Sequence, residues 1–376
     1  MGSAGKGQKE LLALVIDQGL CTACGACAAH CPYIISYQDR TVMLHGCDLA
    51  EGKCYSFCPR TSLDLDGLRR SFFPGSSLTM ELGPVRGYYL ARAKEANDRQ
   101  GTQHGGVVTS LLSLALAEGM IDAAIVSERR DRMLPQGITV ETAAEIRKRG
   151  GSTFVVSPTL AEFNRLASER EGRLGLVALP CQLQALAKMR HASAGTDKPL
   201  AGPSLTIGLF CGWALGRREF LGLLRSLTKI DQVIGMDIPP RKGLLEINVP
   251  AGPINIPLAD IQDLIRPACR FCIDTTAEFS DISAGAAGIS GDRSWNQVLI
   301  RSPKGEELFN LALKKRLIET RPVPEGSLEE LKQVALEKKK TALENLAAKS
   351  GSPADLIYLD RHDPAVFAII EDRTAR

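Results

Sequence analysis

The stretch "CTACGACAAHCPYI" begins at Cys21 and sets four cysteines, Cys21, Cys24, Cys27 and Cys31, within eleven residues, the last followed by Pro32. So tight a spacing leaves few arrangements open. Three thiolates separated by two residues each can wrap a single iron–sulfur cubane, and the small residues Gly25 and Ala26 let the backbone approach its inorganic sulfurs. The fourth, braced by proline at the start of a short helix, points away and serves another cluster. Zinc is the rival ion, but structural zinc sites use two C-x2-C pairs set well apart. The chain holds eleven cysteines, shows no signal peptide and has no apolar run long enough for a bilayer. A reducing, cytoplasmic setting is therefore expected, without a disulfide framework.

A second group follows in "GCDLAEGKCYSFCPR", which supplies Cys47, Cys54 and Cys58 and again ends in Cys-Pro. The two groups together resemble a bacterial two-cluster ferredoxin, in which ligation crosses between groups. Cys58 then completes the first cluster with Cys21, Cys24 and Cys27, and Cys31, Cys47 and Cys54 remain for the second. That second site is one thiolate short. It is open to a three-iron cluster, a four-iron cluster with a foreign ligand such as Asp48, or a rearranged geometry; the plainer alternative is that these cysteines brace a loop. His30 and His45 read as packing or surface residues.

At 376 residues with 44% apolar content the chain has material for two or three units and a real core. Net charge is only +3, with lysines and arginines dispersed, so no nucleic-acid footprint is visible. The division expected is a flexible lead-in over 1–14, a ferredoxin-like module over 15–65, a linker over 66–84, a main domain over 85–350 and a tail over 351–376. In the main domain helices and strands alternate. "HGGVVTSLLSLALAEGMIDAAIVSE" reads as a Gly-Gly turn, a helix over 107–118 and a buried strand over 123–126. "LGLVALP" and "SLTIGLFCGW" are apolar strands, each followed by a helix. Continuous apolar strands between helices predict a mixed, mainly parallel sheet covered on both faces, an α/β fold. "LLEINVPAGPINIPL" predicts a hairpin. A long charged helix closes the domain, with Ser327 and Glu330 as a capping box and the lysines at 338–340 as its solvated face.

Four cysteines remain. Cys181 follows the strand "LVALP", and Cys211 ends the strand "LTIGLF", so both lie at carboxyl ends of parallel strands, the edge where ligands bind. "CRFC" adds Cys269 and Cys272 from a loop. Two single cysteines and one close pair make a complete four-thiolate site for a [4Fe-4S] cluster or zinc. Gly105 and Gly106 precede a helix that opens with Val107 and Thr109, and Gly150, Gly151, Ser152 and Thr153 repeat the pattern of flexible backbone with hydroxyl donors, a setting for an anion. Neither stretch matches a Rossmann or Walker fingerprint.

In order and spacing, "HGGVVTSLLSLALAEGMIDAAIV", "GSTFVVSP", "ALPCQLQALAKMR", "LFCGW" and "CRFCIDTTAEFSDISAGAAG" resemble the family of beta subunits of coenzyme F420 hydrogenases and dehydrogenases. The resemblance runs from about Arg86 to Lys349. It implies an FAD-binding flavin domain that moves electrons between a two-electron carrier, coenzyme F420 or an equivalent, and iron–sulfur clusters, three in all. It implies a [4Fe-4S] cluster on Cys181, Cys211, Cys269 and Cys272. It also implies an FAD site lined by Gly105, Gly106, Val107, Thr109, Gly151, Ser152, Thr153, Ser157 and Pro158, with Asp274, Glu278 and Asp281 in an acidic stretch of structural or flavin-facing role. Family members often carry lysine where this chain has Thr153. The implied partners are redox subunits such as a hydrogenase, a formate dehydrogenase or a heterodisulfide-reductase-like protein; no catalytic residue beyond the flavin is implied.

Overall fold

The computed structural model describes residues 5–130, 134–169, 171–194, 196, 200–239, 242–286 and 293–374. Helix α1 (Gln8–Leu11) opens where the Glu10 carboxylate accepts from the Gly7 N–H, and it runs on into a π-helical turn, Leu12–Ile16. Leu11 and Val15 are buried with Leu20, Ile34 and Cys54. A lead-in over 1–14 is thus corrected: from Gln8 onward the chain packs, because apolar side chains four apart share one face. Strands β1 (Ile34–Tyr37) and β2 (Arg40–Met43) form an antiparallel hairpin turning at Gln38, where φ is +56°. Helix α2 is Lys53–Ser56.

The expected linker over 66–84 is also corrected. Helix α3 (Leu65–Phe72) begins at Asp64, whose carboxylate accepts from the Gly67 N–H at 2.7 Å, and it buries Leu65 and Leu68. A short pair, β3 (Leu78–Thr79) and β4 (Gly83–Pro84), follows. These polar-looking residues hold a fixed position because α3 carries an apolar face and Arg69 has a buried partner in the body.

The body is built on β5 (Gly87–Ala93), α4 (Ala96–Arg99), α5 (Val107–Ala117), β6 (Ala123–Arg130), β7 (Leu134–Val140), α6 (Ala143–Arg147), α7 (Thr159–Glu169), β8 (Leu174–Ala178), α8 (Pro180–Ser193), β9 (Leu205–Leu209) and α9 (Arg217–Leu227). Three antiparallel strands, β10 (Gly235–Asp237), β11 (Leu244–Asn248) and β12 (Ile254–Pro257), form a separate small sheet where the sequence predicts a hairpin. Then come β13 (Ile282–Ala286), β14 (Asn296–Ile300), α10 (Pro303–Lys314), β15 (Ile318–Arg321), α11 (Ser327–Ser350) and α12 (Pro364–Thr374).

The main sheet has the order β15-β5-β14-β13-β9-β8-β6-β7. Strands β6, β8, β9 and β13 pair in parallel, and β5 shares their direction because it is antiparallel to β14, itself antiparallel to β13. All residues of β8 and β14 are buried, as expected for strands covered on both faces. The carboxyl ends of the five like-directed strands therefore line one edge, the usual place for a ligand crevice.

Helix α11 departs from its reading at the start and along one face. Its cap is Gly326 in the left-handed region at φ +81°, and the Ser327 hydroxyl has no partner, so the Ser327–Glu330 box is not formed. Leu331, Ala335, Leu336, Lys339, Ala342, Leu343 and Leu346 are buried on it. Residues after Gly351 are folded as well: Tyr358 is buried, its backbone O accepts from Leu63 N at 2.9 Å, and α12 packs against α11 and α3.

Candidate functional site

Two cysteine-lined cavities lie side by side. The first is lined by Cys21, Cys24, Cys27 and Cys58 together with Leu11, Val15, Thr22 and Thr41. The loop closes tightly because Ala23 and Gly25 take positive φ; a Cβ at Gly25 would stand 2.5 Å from the Ala161 backbone nitrogen on α7. Backbone N–H groups of Ala23 and Arg60 donate to the Cys21 and Cys58 sulfurs at 3.4 Å. Burial pushes the Cys58 thiol up to about 12 and the Cys27 thiol well above its ordinary value, so neutral thiols would dominate unless a cation took the proton's place.

Cys31, Cys47 and Cys54 form the other cysteine neighbourhood of the module. Burial raises the Cys54 thiol, and Cys31 and Cys47 add to that rise. Asp48 beside them is exposed, His45 meets Tyr33 edge to face at 6.0 Å, and His30 meets Phe57 at 5.4 Å.

The second cavity is lined by Cys181, Cys211, Cys269 and Cys272, with Thr22, Arg60, Trp213 and Lys338. Cys181 is the second residue of α8, directly past β8, and Cys211 lies two residues past β9 with its N–H donating to Thr275 O at 2.9 Å. Cys269 sits in the 3-10 turn Pro267–Phe271, its sulfur accepting from Ala214 N–H at 3.3 Å. Both strand-end placements match the sequence reading. Burial raises the thiols of Cys181, Cys269 and Cys211, the last to about 12. At Cys272 burial is outweighed by Lys338 and Arg60, and the thiol falls below its ordinary value. Lys338 is not on a solvated face: its Nζ donates to Cys211 O at 2.7 Å and to Asp274 O at 3.0 Å.

Thr22 lines both cavities, so the two share a wall. The module is locked there by polar contacts from the body. Asn164 Nδ2 donates to Ala26 O and Ala28 O at 3.1 and 2.9 Å, Lys188 Nζ to Cys58 O at 2.8 Å, and Arg266 Nη1 to Asp39 Oδ2 at 2.7 Å. Among the described residues, no three His, Cys, Asp or Glu side chains are gathered closely enough to hold a single metal ion. A cubane, with its thiolates on separate corners, suits such a spread better than zinc does.

The flavin candidates divide into two groups. Gly105, Gly106, Val107 and Thr109 lie at the start of α5, on the carboxyl edge of the main sheet. Gly106 has φ +73°, and a Cβ there would stand 2.3 Å from Asp98 O; at Gly105 it would meet Asn296 Oδ1 and Ser294 O at 2.9 Å. The chain's own turn thus demands both glycines. Ser152 joins this group by donating to Gln103 Oε1 at 2.5 Å, and a Cβ at Gly150 or Gly151 would face Gly101 O. Thr153 donates to Val155 O. Ser157 and Pro158 lie against the cluster loop of the module, where Leu160 N–H donates to Cys24 O at 3.2 Å. Two polar atoms in these groups are buried without a partner: His104 Nδ1 beside the glycine pair, and Ser157 Oγ.

The acidic stretch has structural partners. Asp274 accepts from the N–H groups of Thr276, Ala277 and Glu278 at 2.9 Å. Glu278 is paired with both Arg69 and Lys339 in full burial. Asp281 accepts from Thr206 N and Oγ1 at 2.8 Å and from Ser302 Oγ at 2.6 Å.

Comparison with known proteins places this architecture. Residues 88–163 match the family model for the amino-terminal part of the beta subunit of coenzyme F420 hydrogenase/dehydrogenase, and residues 171–326 match the model for the carboxyl-terminal part of the same beta subunit. The chain belongs to this family of beta subunits. Residues 14–33 match a 4Fe-4S binding domain. The chain is 28% identical over 331 residues to a subunit of the F(420)H(2) dehydrogenase of Methanosarcina mazei, covering 83% of this chain and 88% of that one. It is 27% identical over 280 residues to the beta subunit of the coenzyme F420 hydrogenase of Methanothermobacter thermautotrophicus, covering 72% and 97%. A chain of the F420-reducing [NiFe] hydrogenase complex from Methanosarcina barkeri, solved in a xenon-derivatised form, superposes with a TM-score of 0.65 at 25% identity, over 71% of this chain and 93% of that one.

As a member of that family the chain is one of the oxidoreductase subunits, with an iron–sulfur motif at its amino-terminal end. Within that frame, sequence reading misses Thr22, Arg60 and Lys338 in the cavity walls, and Lys188, which holds Cys58 O from outside them. A signal exists for the region of Lys338. Lys339 falls at helical spacing between Leu336 and Leu343, inside the apolar stripe of α11, so the lysine run could not all face solvent.

Proposed function

We propose that the chain is an electron-transfer subunit working between a soluble two-electron carrier, coenzyme F420 or an equivalent, and a partner redox enzyme, with residues that would hold FAD and iron–sulfur clusters. The observation that supports it best is the pair of four-cysteine cavities sharing Thr22. Bound FAD supplies the conversion between two-electron and one-electron chemistry, since a flavin is stable at both levels while a cluster accepts one electron.

The residues of the chain divide the remaining work. Cys181, Cys211, Cys269 and Cys272 would hold one [4Fe-4S] cluster, and Cys21, Cys24, Cys27 and Cys58 a second. Cys31, Cys47 and Cys54 would hold a third, incomplete by one thiolate. The start of α5, with backbone donors and the neighbouring Ser152 hydroxyl, fits the phosphates of FAD, and the orphaned His104 Nδ1 marks an unfilled polar position there. Ser157 and Pro158 would meet the flavin only on the side facing the cluster loop. The functional units are the module, whose cavity wall includes Leu11, and the body, which α3 and α12 complete. Among the described residues no helix is long and apolar enough to cross a membrane, so this reading gives any membrane contact to a partner.

The test is stoichiometry on anaerobically prepared protein. The reading requires FAD together with iron and acid-labile sulfide sufficient for at least two four-iron clusters; protein carrying iron for one cluster, or clusters without flavin, would overturn it.

A further inference from the structure

Arg60 is built into the wall between the two cavities. By chain position it belongs to the module, following Cys58 and Pro59, and its backbone N–H donates to the Cys58 sulfur at 3.4 Å. Its side chain belongs to the body: it lines the cavity of Cys181, Cys211, Cys269 and Cys272, and the thiols of Cys272 and Cys181 stand within electrostatic reach of the guanidinium. The residue is 2% exposed. Nη1 donates to Tyr358 Oη at 3.0 Å, the guanidinium lies 4.7 Å over that ring, and Tyr358 is fixed in turn by donating to Phe271 O at 2.7 Å. Among the described residues Arg60 forms no salt bridge with a carboxylate, and the anionic groups it meets are the thiols of Cys272 and Cys181. A buried cation needs a counter-charge, and with no carboxylate at hand the thiolates of that cavity supply it. Gln184 adds to the pattern: it lies three residues after Cys181 and four before Lys188 on α8, fully buried, with neither amide atom bonded.

We propose that Arg60 is a positioning residue for electrons, a fixed cation supplied by the module that raises the reduction potential of the cluster on Cys181, Cys211, Cys269 and Cys272. This rests on the iron–sulfur reading above. Reduction adds one electron to a cluster whose four thiolates already make it negative; no bond breaks and no proton is required, and the reduced form gains more from a nearby cation than the oxidised form does. Lys338, the other cation of that cavity, comes from the body itself. Arg60 comes with the module, so the body cluster reaches its working potential only while the module is docked.

The experiment is an anaerobic redox titration of the full, cluster-loaded chain, with dithionite as electron donor and electron paramagnetic resonance as readout. Cys269→Ser identifies the signal of the body cluster by difference. At the potential where the wild-type body cluster is half reduced, Arg60→Gln is expected to lower its reduced-to-oxidised ratio about tenfold, which is about 59 mV for one electron. The module cluster should move less, because its bond from the Arg60 backbone is retained, and Arg60→Lys should stay near the wild-type ratio. An unchanged ratio in Arg60→Gln, or equal movement of both clusters, overturns the proposal. If neither Arg60→Gln nor Arg60→Met loads the body cluster, loading in Arg60→Lys supports a requirement for charge, and failure there too overturns it. Should Cys269→Ser leave the wild-type signals and iron content unchanged, the iron–sulfur reading itself fails, which is a separate result.

Discussion

Replacing Lys339 by methionine removes one of the two cations on a fully buried carboxylate of the body. Lys339 Nζ meets Glu278 and also donates to Ile273 O at 3.0 Å, tying α11 to the segment that follows Cys272. Glu278 is 2% exposed and takes Arg69 on its other side. Burial pushes its carboxyl up, but Arg69 and Lys339 outweigh burial and hold it down at about 2, against an ordinary 4.5. That difference corresponds to roughly 3 kcal/mol favouring the charged carboxylate in the folded chain, in line with the roughly 3–5 kcal/mol lost when one partner of a buried pair is removed. Because the folded value is depressed, the stabilisation is fully present above about pH 4.5 and is lost as pH falls toward about 2. Arg69 stays on the carboxylate in Lys339→Met, so about half of that, roughly 1.5 kcal/mol, is lost, and the apparent melting temperature at neutral pH should fall by roughly 3–6 °C, at about 2–4 °C per kcal/mol. Lys340→Met, which breaks only a half-buried pair with Asp372, should cost under about 1 kcal/mol. The assay is anaerobic thermal unfolding of both variants at one scan rate, at pH 7 and again near pH 4, where the gap between them should narrow. Melting temperatures that fall equally in the two variants at pH 7 would refute the reasoning and return the lysine run to solvent.

Three further outcomes are expected. Cys269→Ser should lose about four iron atoms per chain, the content of one cubane, while iron in the module stays, read by iron and sulfide analysis. Gly106→Ala should destabilise the start of α5 by more than about 1 kcal/mol, since φ is +73° and the new Cβ would meet Asp98 O; thermal unfolding checks the stability, and flavin content should fall with it. Asp39→Ala removes the carboxylate that accepts from Arg266 Nη1 and Arg217 N–H and leaves only the Asp39 backbone O for Arg266, so limited proteolysis should cut between module and body faster than in the wild type.

The cysteine spacing carried much of what the sequence could tell. C-x2-C-x2-C with a distant Cys-Pro specifies a loop and a returning ligand, and the structure brings Cys58 to Cys21, Cys24 and Cys27. Apolar runs ahead of Cys181 and Cys211 likewise placed both at strand ends, because a buried parallel strand leaves little choice of where it stops. What escaped was polar burial. Lys338, Lys339 and Arg60 look like surface residues by composition, and only their opposing partners, Glu278, the cysteine thiols and Tyr358, make their burial tolerable. Those partners lie tens to hundreds of residues away in the chain. The region over 66–84 and the segment after Gly351 were misread for the same reason: α3, Tyr358 and α12 gain their order from one another and from the body, not from local propensity.

The central claim is the coupling of a two-electron carrier to the clusters through the flavin, and anaerobic flavin absorbance tests it most directly. Reduced coenzyme F420 added alone should bleach the flavin rapidly, followed by the slower loss of iron–sulfur absorbance as electrons move on. Flavin that stays oxidised with reduced coenzyme F420 and NADH alike, and bleaches only with reduced ferredoxin, would contradict the account and make the module an entrance for electrons rather than a route to a partner.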